Sequence, residues 1–372
     1  MSEAPAELSE RDRAYLERAR VLARKGWGHV QPNPLVGCVL VRHDRVVGEG
    51  HHALFGGPHA EIVALEQALS AAEGATAYVS LEPCNHQGKT PPCVAALVEA
   101  GVRRVVYGAA DPGARSQGGG EALKAAGLEV VGPVWSRERA RAENPAFMHV
   151  ARHETPYVAL KLAMSLDARI SAAPGTPTQV TGEEARCEVH RLRTGFDAVL
   201  VGAETARIDD PELTVRLAPP GRRPARRLVL SPDAGLATDR ALFKETEEAP
   251  LHVFTRLDAP EGAIERLEEA GAHVHPVPHE EGLLDLGAVS DVSWELGIRS
   301  IFCEGGGRLA ASLLREGRVH RLYLFIAPRT LGAEGVPAFP DGADLDWSGF
   351  DPAVAPAVFG RDTLLVLDRR ER

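Results

Sequence analysis

The residues with the clearest chemical potential are one histidine and two cysteines. Pro58-His59-Ala60-Glu61 is followed by Glu82-Pro83-Cys84 and then by Pro91-Pro92-Cys93, with eight residues between the thiols. Neutral imidazole and thiolate are donors that Zn2+ takes in a tetrahedron. His59, Cys84 and Cys93 fill three places and leave the fourth for water, which marks a catalytic rather than a structural site. Glu61 stands two residues after His59, at the start of an expected helix. It can sit beside a metal without binding it, take a proton from the water and hand it to a leaving amine. Cys93 opens a second expected helix, whose dipole favours thiolate. Two competing readings stay open at this stage. His86 could complete a structural four-ligand set, or the cysteines could be simple buried residues beside an unrelated surface histidine.

The second half carries softer signals. Glu304-Gly305-Gly306-Gly307 lies between an expected strand and an expected helix. Three glycines there let backbone N–H groups approach a phosphate at a helix N-terminus, although the G-x-G-x-x-G fingerprint is absent and a tight turn would look the same. Polar clusters at element ends include Lys161, Ser165-Leu166-Asp167, His190 to Arg193, Thr205, Asp209-Asp210-Pro211 and Arg216. Arg193 and Arg216 could grip a phosphorylated sugar through bidentate contacts.

These groups need a scaffold, and the hydrophobic pattern supplies one. Tyr15, Ala19, Leu22 and Ala23 form a helical stripe within 11–25. Strands are expected at 36–41 and 45–50, joined by a His43-Asp44 turn, and at 75–81, 103–108 and 128–131. Helices are expected at 60–72, 92–100 and 121–126. Residues 146–156 show no clear element. A second alternating run places strands at 157–163, 196–202, 226–231, 250–254, 299–303 and 320–327, with helices at 182–194, 260–270 and 307–316. The pattern predicts two α/β domains, 1–150 and 151–372.

Composition agrees with a globular protein: 372 residues, 44% hydrophobic and 25% charged. A net charge of −10 argues against broad nucleic-acid binding. No apolar run is long enough to span a membrane. The charged N-terminus lacks a secretory signal, so a cytoplasmic location is expected. Five cysteines spread along the chain are no disulfide framework. Cys38, Cys187 and Cys303 read as small core residues. The basic run Arg222-Arg223-Pro224-Ala225-Arg226-Arg227 is a candidate for a phosphate, with an exposed loop as the alternative.

The His-x-Glu and Pro-Cys elements resemble the cytidine/deoxycytidylate deaminase superfamily. Gly88-Lys89-Thr90-Pro91-Pro92-Cys93 and Pro32-Asn33-Pro34-Leu35-Val36-Gly37 narrow the resemblance to the bifunctional riboflavin-biosynthesis deaminase/reductases, over roughly residues 12 to 365. The resemblance implies a cytidine-deaminase-like three-layer α/β/α domain followed by a dihydrofolate-reductase-like α/β domain. It implies deamination of a phosphoribosyl diamino-pyrimidine, then NADPH-dependent reduction of the ribosyl group to ribityl. By the family pattern His59, Cys84 and Cys93 hold zinc and Glu61 shuttles the proton. Asn33, His86, Lys89 and Asp111 would line the first substrate pocket. Ala163, Thr205, Asp209 and Gly305, Gly306 and Gly307 would meet the nicotinamide cofactor. Arg193, Leu213, Arg216 and Glu304 would meet the second substrate. The substrate is a small molecule, with neither nucleic acid nor membrane as partner, and a homo-oligomer is expected.

The chain departs from the family pattern in places. Asp111-Pro112-Gly113-Ala114 stands where Asp-Pro-Asn-Pro is usual, and Ala168 stands where glycine follows Asp167. Gln179 replaces a tryptophan and Pro177 a serine. These changes motivate an alternative, a deaminase whose C-terminal domain has lost reduction. A nucleoside or tRNA deaminase, and a zinc-stabilised interaction protein without chemistry, are the remaining readings.

Overall fold

Helix α1 (Glu10–Ala23) starts from a reciprocal capping box. The Ser9 hydroxyl accepts from the Asp12 amide and the Asp12 carboxylate accepts from the Ser9 amide. The computed structural model describes residues 8–86, 92–114, 116–214, 225–340 and 347–370. The chain divides into two units, Met1–His153 and Glu154–Arg372.

In the first unit α1 is followed by β1 (Gly37–Arg42), β2 (Arg45–His51), α2 (Ala60–Ala68), β3 (Thr76–Leu81), α3 (Cys93–Glu99), β4 (Arg104–Ala109), α4 (Gly119–Ala125), β5 (Glu129–Val131), α5 (Arg137–Glu143) and α6 (Pro145–Val150). The strand order is β2-β1-β3-β4-β5. β1 is antiparallel to β2 and β3, whereas β3, β4 and β5 are parallel. His43 and Asp44 both take positive φ, +50° and +60°, as a tight two-residue hairpin demands. Alternation along the strands sorts the core into two layers. Cys38, Leu40, Ala77, Val79, Val105 and Tyr107 pack against α2, α3 and α4, while Val39, Val41, Tyr78 and Val106 pack against α1. The three-layer expectation is met. The stretch 146–156 is not elementless, however, because α6 enters it with Pro145 in its first turn. α6 buries Pro145 and Met148, too little to give an apolar period.

The second unit contains β6 (Tyr157–Ser165), β7 (Arg169–Ser171), α7 (Glu183–Arg193), β8 (Ala198–Gly202), α8 (Ala203–Asp209), β9 (Arg226–Leu230), β10 (Leu251–Arg256), α9 (Glu261–Glu269), β11 (Ala272–Val277), β12 (His279–Glu280), β13 (Leu283–Leu284), α10 (Leu286–Glu295), β14 (Ser300–Cys303), α11 (Gly307–Arg315), β15 (Arg321–Ala327), β16 (Val336–Pro337), β17 (Phe350–Pro352), β18 (Ala357–Phe359) and β19 (Asp362–Arg369). Its main sheet runs β11-β10-β9-β8-β14-β6-β15-β19-β17, with β18 also on β19. From β11 to β15 every neighbouring pair is parallel, and β19 is antiparallel to β15, β17 and β18. The parallel strands inside the sheet are largely apolar runs, as strands covered on both faces must be, while the edge strand β11 is half exposed.

Charges interrupt that core at defined places. Arg321 and Asp368 face each other across β15 and β19 and form a bidentate pair, Nε–Oδ1 2.6 Å and Nη2–Oδ2 2.9 Å. Arg227 is fully buried in β9 and donates through Nε to the Ala249 carbonyl at 2.9 Å. That end of the basic run is therefore neither exposed loop nor phosphate ligand. Arg222 and Arg223 lie outside the described residues.

Candidate functional site

In the first unit the chemistry collects at the carboxyl ends of β3 and β4 and the N-termini of α2 and α3. His59 is the N-cap of α2, in extended backbone with no capping hydrogen bond from its side chain, so its ring is available to a ligand. Gly48 and Gly50 of β2 let α2 lie close, since a Cβ at either would come within 2.2 Å of the Ala64 carbonyl or 2.6 Å of the Ala60 carbonyl. Cys84 follows β3, and Cys93 is the first residue of α3.

One ligand atom from each of His59, Cys84 and Cys93 lies within 4.8 Å of the others, the cluster among the described residues that could hold a metal ion. His59 Nδ1 is 3.2 Å from Cys93 Sγ and 3.5 Å from Cys84 Sγ, and the Cys93 amide donates to Cys84 Sγ at 3.5 Å. The soft and borderline donors suit zinc. His86, exposed at the pocket edge, is not in the cluster. The three-donor set therefore fits an open metal position and not a closed structural one. Hydrogen bonds from Cys93 and His59 draw the Cys84 pKa down to about 4, and Cys93, next to that thiolate, is pushed up. Glu61 is 3% exposed, and burial, reinforced by the Cys84 charge, raises its carboxyl to about 7.

A cavity of about 320 Å3 opens onto this cluster and is lined by Asn33, His52, Phe55, Glu61, His86 and Asp111, among others. Sequence reasoning did not find His52. Its ring stands edge-on to His59, with centroids 5.5 Å apart. Nδ1 lies 2.9 Å from the Pro58 carbonyl and Nε2 lies 3.1 Å from Asn33 Nδ2. The consistent tautomer donates to Pro58 and accepts from Asn33. Asn144, also missed, clamps the Asn33 loop, accepting from the Leu35 amide at 2.7 Å and donating to the Leu35 carbonyl at 3.0 Å. Buried Glu82 accepts from the Asp111 amide at 3.1 Å and the Gly120 amide at 2.9 Å. Asp111, 6% exposed, has its carboxyl raised by burial and accepts from the Gly113 amide at 2.8 Å. Lys89 lies outside the described residues.

In the second unit the carboxyl ends of β6, β8, β9 and β14 surround a pocket of about 810 Å3, the expected place for a ligand in a parallel sheet. Its lining includes Lys161, Ala163, Thr205, Asp209, Glu304 and the three glycines Gly305, Gly306 and Gly307. The Gly306 amide donates to Thr205 Oγ1 at 3.1 Å, tying the glycine turn to α8. Burial alone would raise the Glu304 carboxyl, but the Arg193 and Lys161 charges beside it hold it below its ordinary value. Arg193 pairs directly with Glu304, and Lys161 Nζ is 3.6 Å from Glu304 Oε2. Burial lowers the Lys161 pKa. Leu213 is placed differently, with its side chain buried in the core at 3% exposure and its backbone at φ +54°. Arg216 lies outside the described residues.

The departures have physical consequences. Ala168 takes φ +54°, a conformation that suits glycine. Asp167 is a tether, accepting from the Leu331 amide at 3.0 Å and the Gly332 amide at 2.8 Å. Gln179 lies at the pocket rim next to Arg186.

Residues 9–109 match the family described as the cytidine and deoxycytidylate deaminase zinc-binding region, and residues 156–350 match the RibD C-terminal domain. The chain is 39% identical to the riboflavin biosynthesis protein RibD of Aquifex aeolicus over 87% of its own length and 89% of that protein. It is 37% identical to RibD of Escherichia coli over the same shares. Among solved structures, Acinetobacter baumannii RibD superposes with a TM-score of 0.80 at 32% identity, covering 97% of this chain and 99% of that one. The Thermotoga maritima diaminohydroxyphosphoribosylaminopyrimidine deaminase/5-amino-6-(5-phosphoribosylamino)uracil reductase gives 0.79 at 31% identity with the same coverage.

Proposed function

Because this chain belongs to the family of bifunctional riboflavin-biosynthesis deaminase/reductases, we propose how its residues divide the two reactions. The protein is a zinc-dependent deaminase of the phosphoribosyl diamino-pyrimidine and an NADPH-dependent reductase of the deaminated product. The observation that carries the residue assignment is the mutual approach of His59, Cys84 and Cys93 beside buried Glu61.

Zinc, when bound, supplies Lewis acidity that makes water nucleophilic near neutral pH. His59, Cys84 and Cys93 hold it. Glu61, buried beside the cluster, is a carboxyl placed to accept and release a proton there. It takes the proton of the attacking water and delivers it to the departing amine. Asn33, whose amide N–H engages His52, keeps its oxygen to accept from the pyrimidine amino group. Asp111 and His86 border the same pocket, and Lys89 is assigned to the phosphate as a point charge.

In the second reaction NADPH supplies the hydride. Ala163, Thr205, Asp209 and Gly305 to Gly307 cradle the cofactor, the missing glycine side chains letting its phosphates approach the N-terminus of α11. Glu304, Arg193 and Arg216 are assigned to the sugar phosphate, and Leu213, whose side chain is in the core, would meet it only through its backbone. Lys161, which the sequence marks only as a polar residue at a strand end, is suited to give a proton to the sugar ring oxygen as the ring opens, since burial makes its ammonium more acidic. We also infer a homo-oligomer and a cytoplasmic location. Pairing of sheet-based domains of these kinds supports the first, and the absence of an apolar helix long enough to cross a membrane among the described residues is compatible with the second.

A coupled assay tests the assignment. The diamino-pyrimidine alone should release ammonia, and NADPH oxidation should follow only after deamination. Ammonia release without any NADPH oxidation would favour a deaminase that has lost reduction.

A further inference from the structure

Three cationic side chains line the large pocket of the second unit: Lys161, Arg186 and Arg308. Lys161 faces the Glu304 carboxylate at 3.6 Å, and Arg308 faces Glu204 at 3.7 Å. Arg186 is different. It lies on α7, half-buried, and its recorded partners are a carbonyl and an amide. Nη1 donates to the Thr181 carbonyl at 2.9 Å. Gln179, with its amide oxygen turned towards the guanidinium, packs against it in contact with Nη1, Nε and Nη2. Among the described residues no carboxylate pairs with Arg186, and a planar fork with five N–H groups matches phosphate geometry.

We propose that Arg186, oriented by Gln179 and the Thr181 carbonyl, is a phosphate-anchoring residue of the reductase pocket. The inference rests on the reductase reading above. The shared chemistry is a phosphate monoester or diester, borne either by the sugar substrate or by the dinucleotide. Gln179, which stands where the family usually has tryptophan, then acts as a positioning residue for this guanidinium.

The experiment uses the full-length zinc-loaded protein with Arg186→Ala, Arg186→Lys and Gln179→Ala. It measures KM for the phosphoribosyl product of deamination and for its dephosphorylated form, and Kd for NADPH and NADH. In Arg186→Ala, loss of charge-assisted hydrogen bonds should weaken one phosphate-bearing ligand by roughly tenfold to a hundredfold. A raised KM for the phosphorylated sugar, with its dephosphorylated form unaffected, identifies the substrate as the source. A raised Kd for the dinucleotides identifies the cofactor, and a loss confined to NADPH identifies its additional phosphate. Lysine should restore part of the loss, and Gln179→Ala should reproduce part of it. A structural role would weaken phosphorylated and dephosphorylated ligands alike, and that result overturns the proposal. So do unchanged constants in Arg186→Ala alongside an active wild type. If the wild type itself fails to oxidise NADPH, the reductase reading falls and this inference falls with it.

Discussion

The carbonyl of Pro83 passes so close to Gly119 that a Cβ at position 119 would lie 1.8 Å from it. The first turn of α4 is thus pressed against the Pro83-Cys84 turn that presents a sulfur to the metal cluster. Gly119→Ala must push that turn away. The expected outcome is loss of bound zinc and at least roughly a tenfold fall in ammonia release, because ångström-scale misplacement of reacting groups has costs of that order and above. Elemental analysis and an ammonia assay read both quantities. Full zinc occupancy with wild-type ammonia release would show that the turn has room to move.

Stability in mild acid should depend on a histidine cluster. His252, 5% exposed, lies with its Nδ1 2.9 Å from His275 Nε2 and its ring 5.0 Å from that of His273. Burial, then repulsion from His275, His273 and Arg226, lowers its pKa to about 4, and burial lowers that of His275. The fold keeps His252 neutral while the unfolded chain takes up a proton near its ordinary value. Stability is therefore complete above about pH 6.5 and falls as pH drops towards about 4, by roughly 2–3 kcal/mol for this group. Denaturant titrations at stepped pH should show this slope, and His252→Leu should flatten it. An equal slope in the variant would place the acid sensitivity elsewhere.

Ala168 offers a gain of stability. At φ +54° an alanine carries strain that glycine does not. Removing it outweighs the extra freedom glycine has in the unfolded chain, so Ala168→Gly should stabilise the protein by about 0.5–1 kcal/mol. A thermal melt that moves down instead would mean that the left-handed conformation carries no penalty here.

The buried pair of Arg321 and Asp368 predicts the opposite. Asp368→Ala leaves a guanidinium in the interior, with its side chain only 7% exposed. The expected loss is about 3–5 kcal/mol, measured by chemical denaturation. A loss below 1 kcal/mol would mean that water reaches Arg321 in the variant.

What could be read from the sequence follows from the range of the interactions. The cluster of His59, Cys84 and Cys93 with Glu61 was legible because these residue types stand in short motifs, His59 and Cys93 at helix starts and Cys84 just after β3. β6, β8, β9, β10, β14 and β15 were legible because parallel strands covered on both faces are largely apolar, whereas the half-exposed edge strand β11 and the alternating antiparallel β19 were not found. His52, Glu82 and Asn144 act through partners 19, 29 and 109 residues away, and no local pattern marks them. α8 escaped notice because it buries a single alanine, Ala206, and gives no apolar period. Arg227 looked like part of a surface basic run, yet β9 carries it inside, where carbonyls from distant loops satisfy it.

The most direct test of the account is Glu61→Gln in the zinc-loaded protein, assayed for metal content and for ammonia released from the phosphoribosyl diamino-pyrimidine. Zinc should stay at wild-type occupancy, because Glu61 is not a ligand, while ammonia release falls by roughly a hundredfold to ten-thousandfold. Retained ammonia release with zinc in place would contradict the assignment of the proton shuttle.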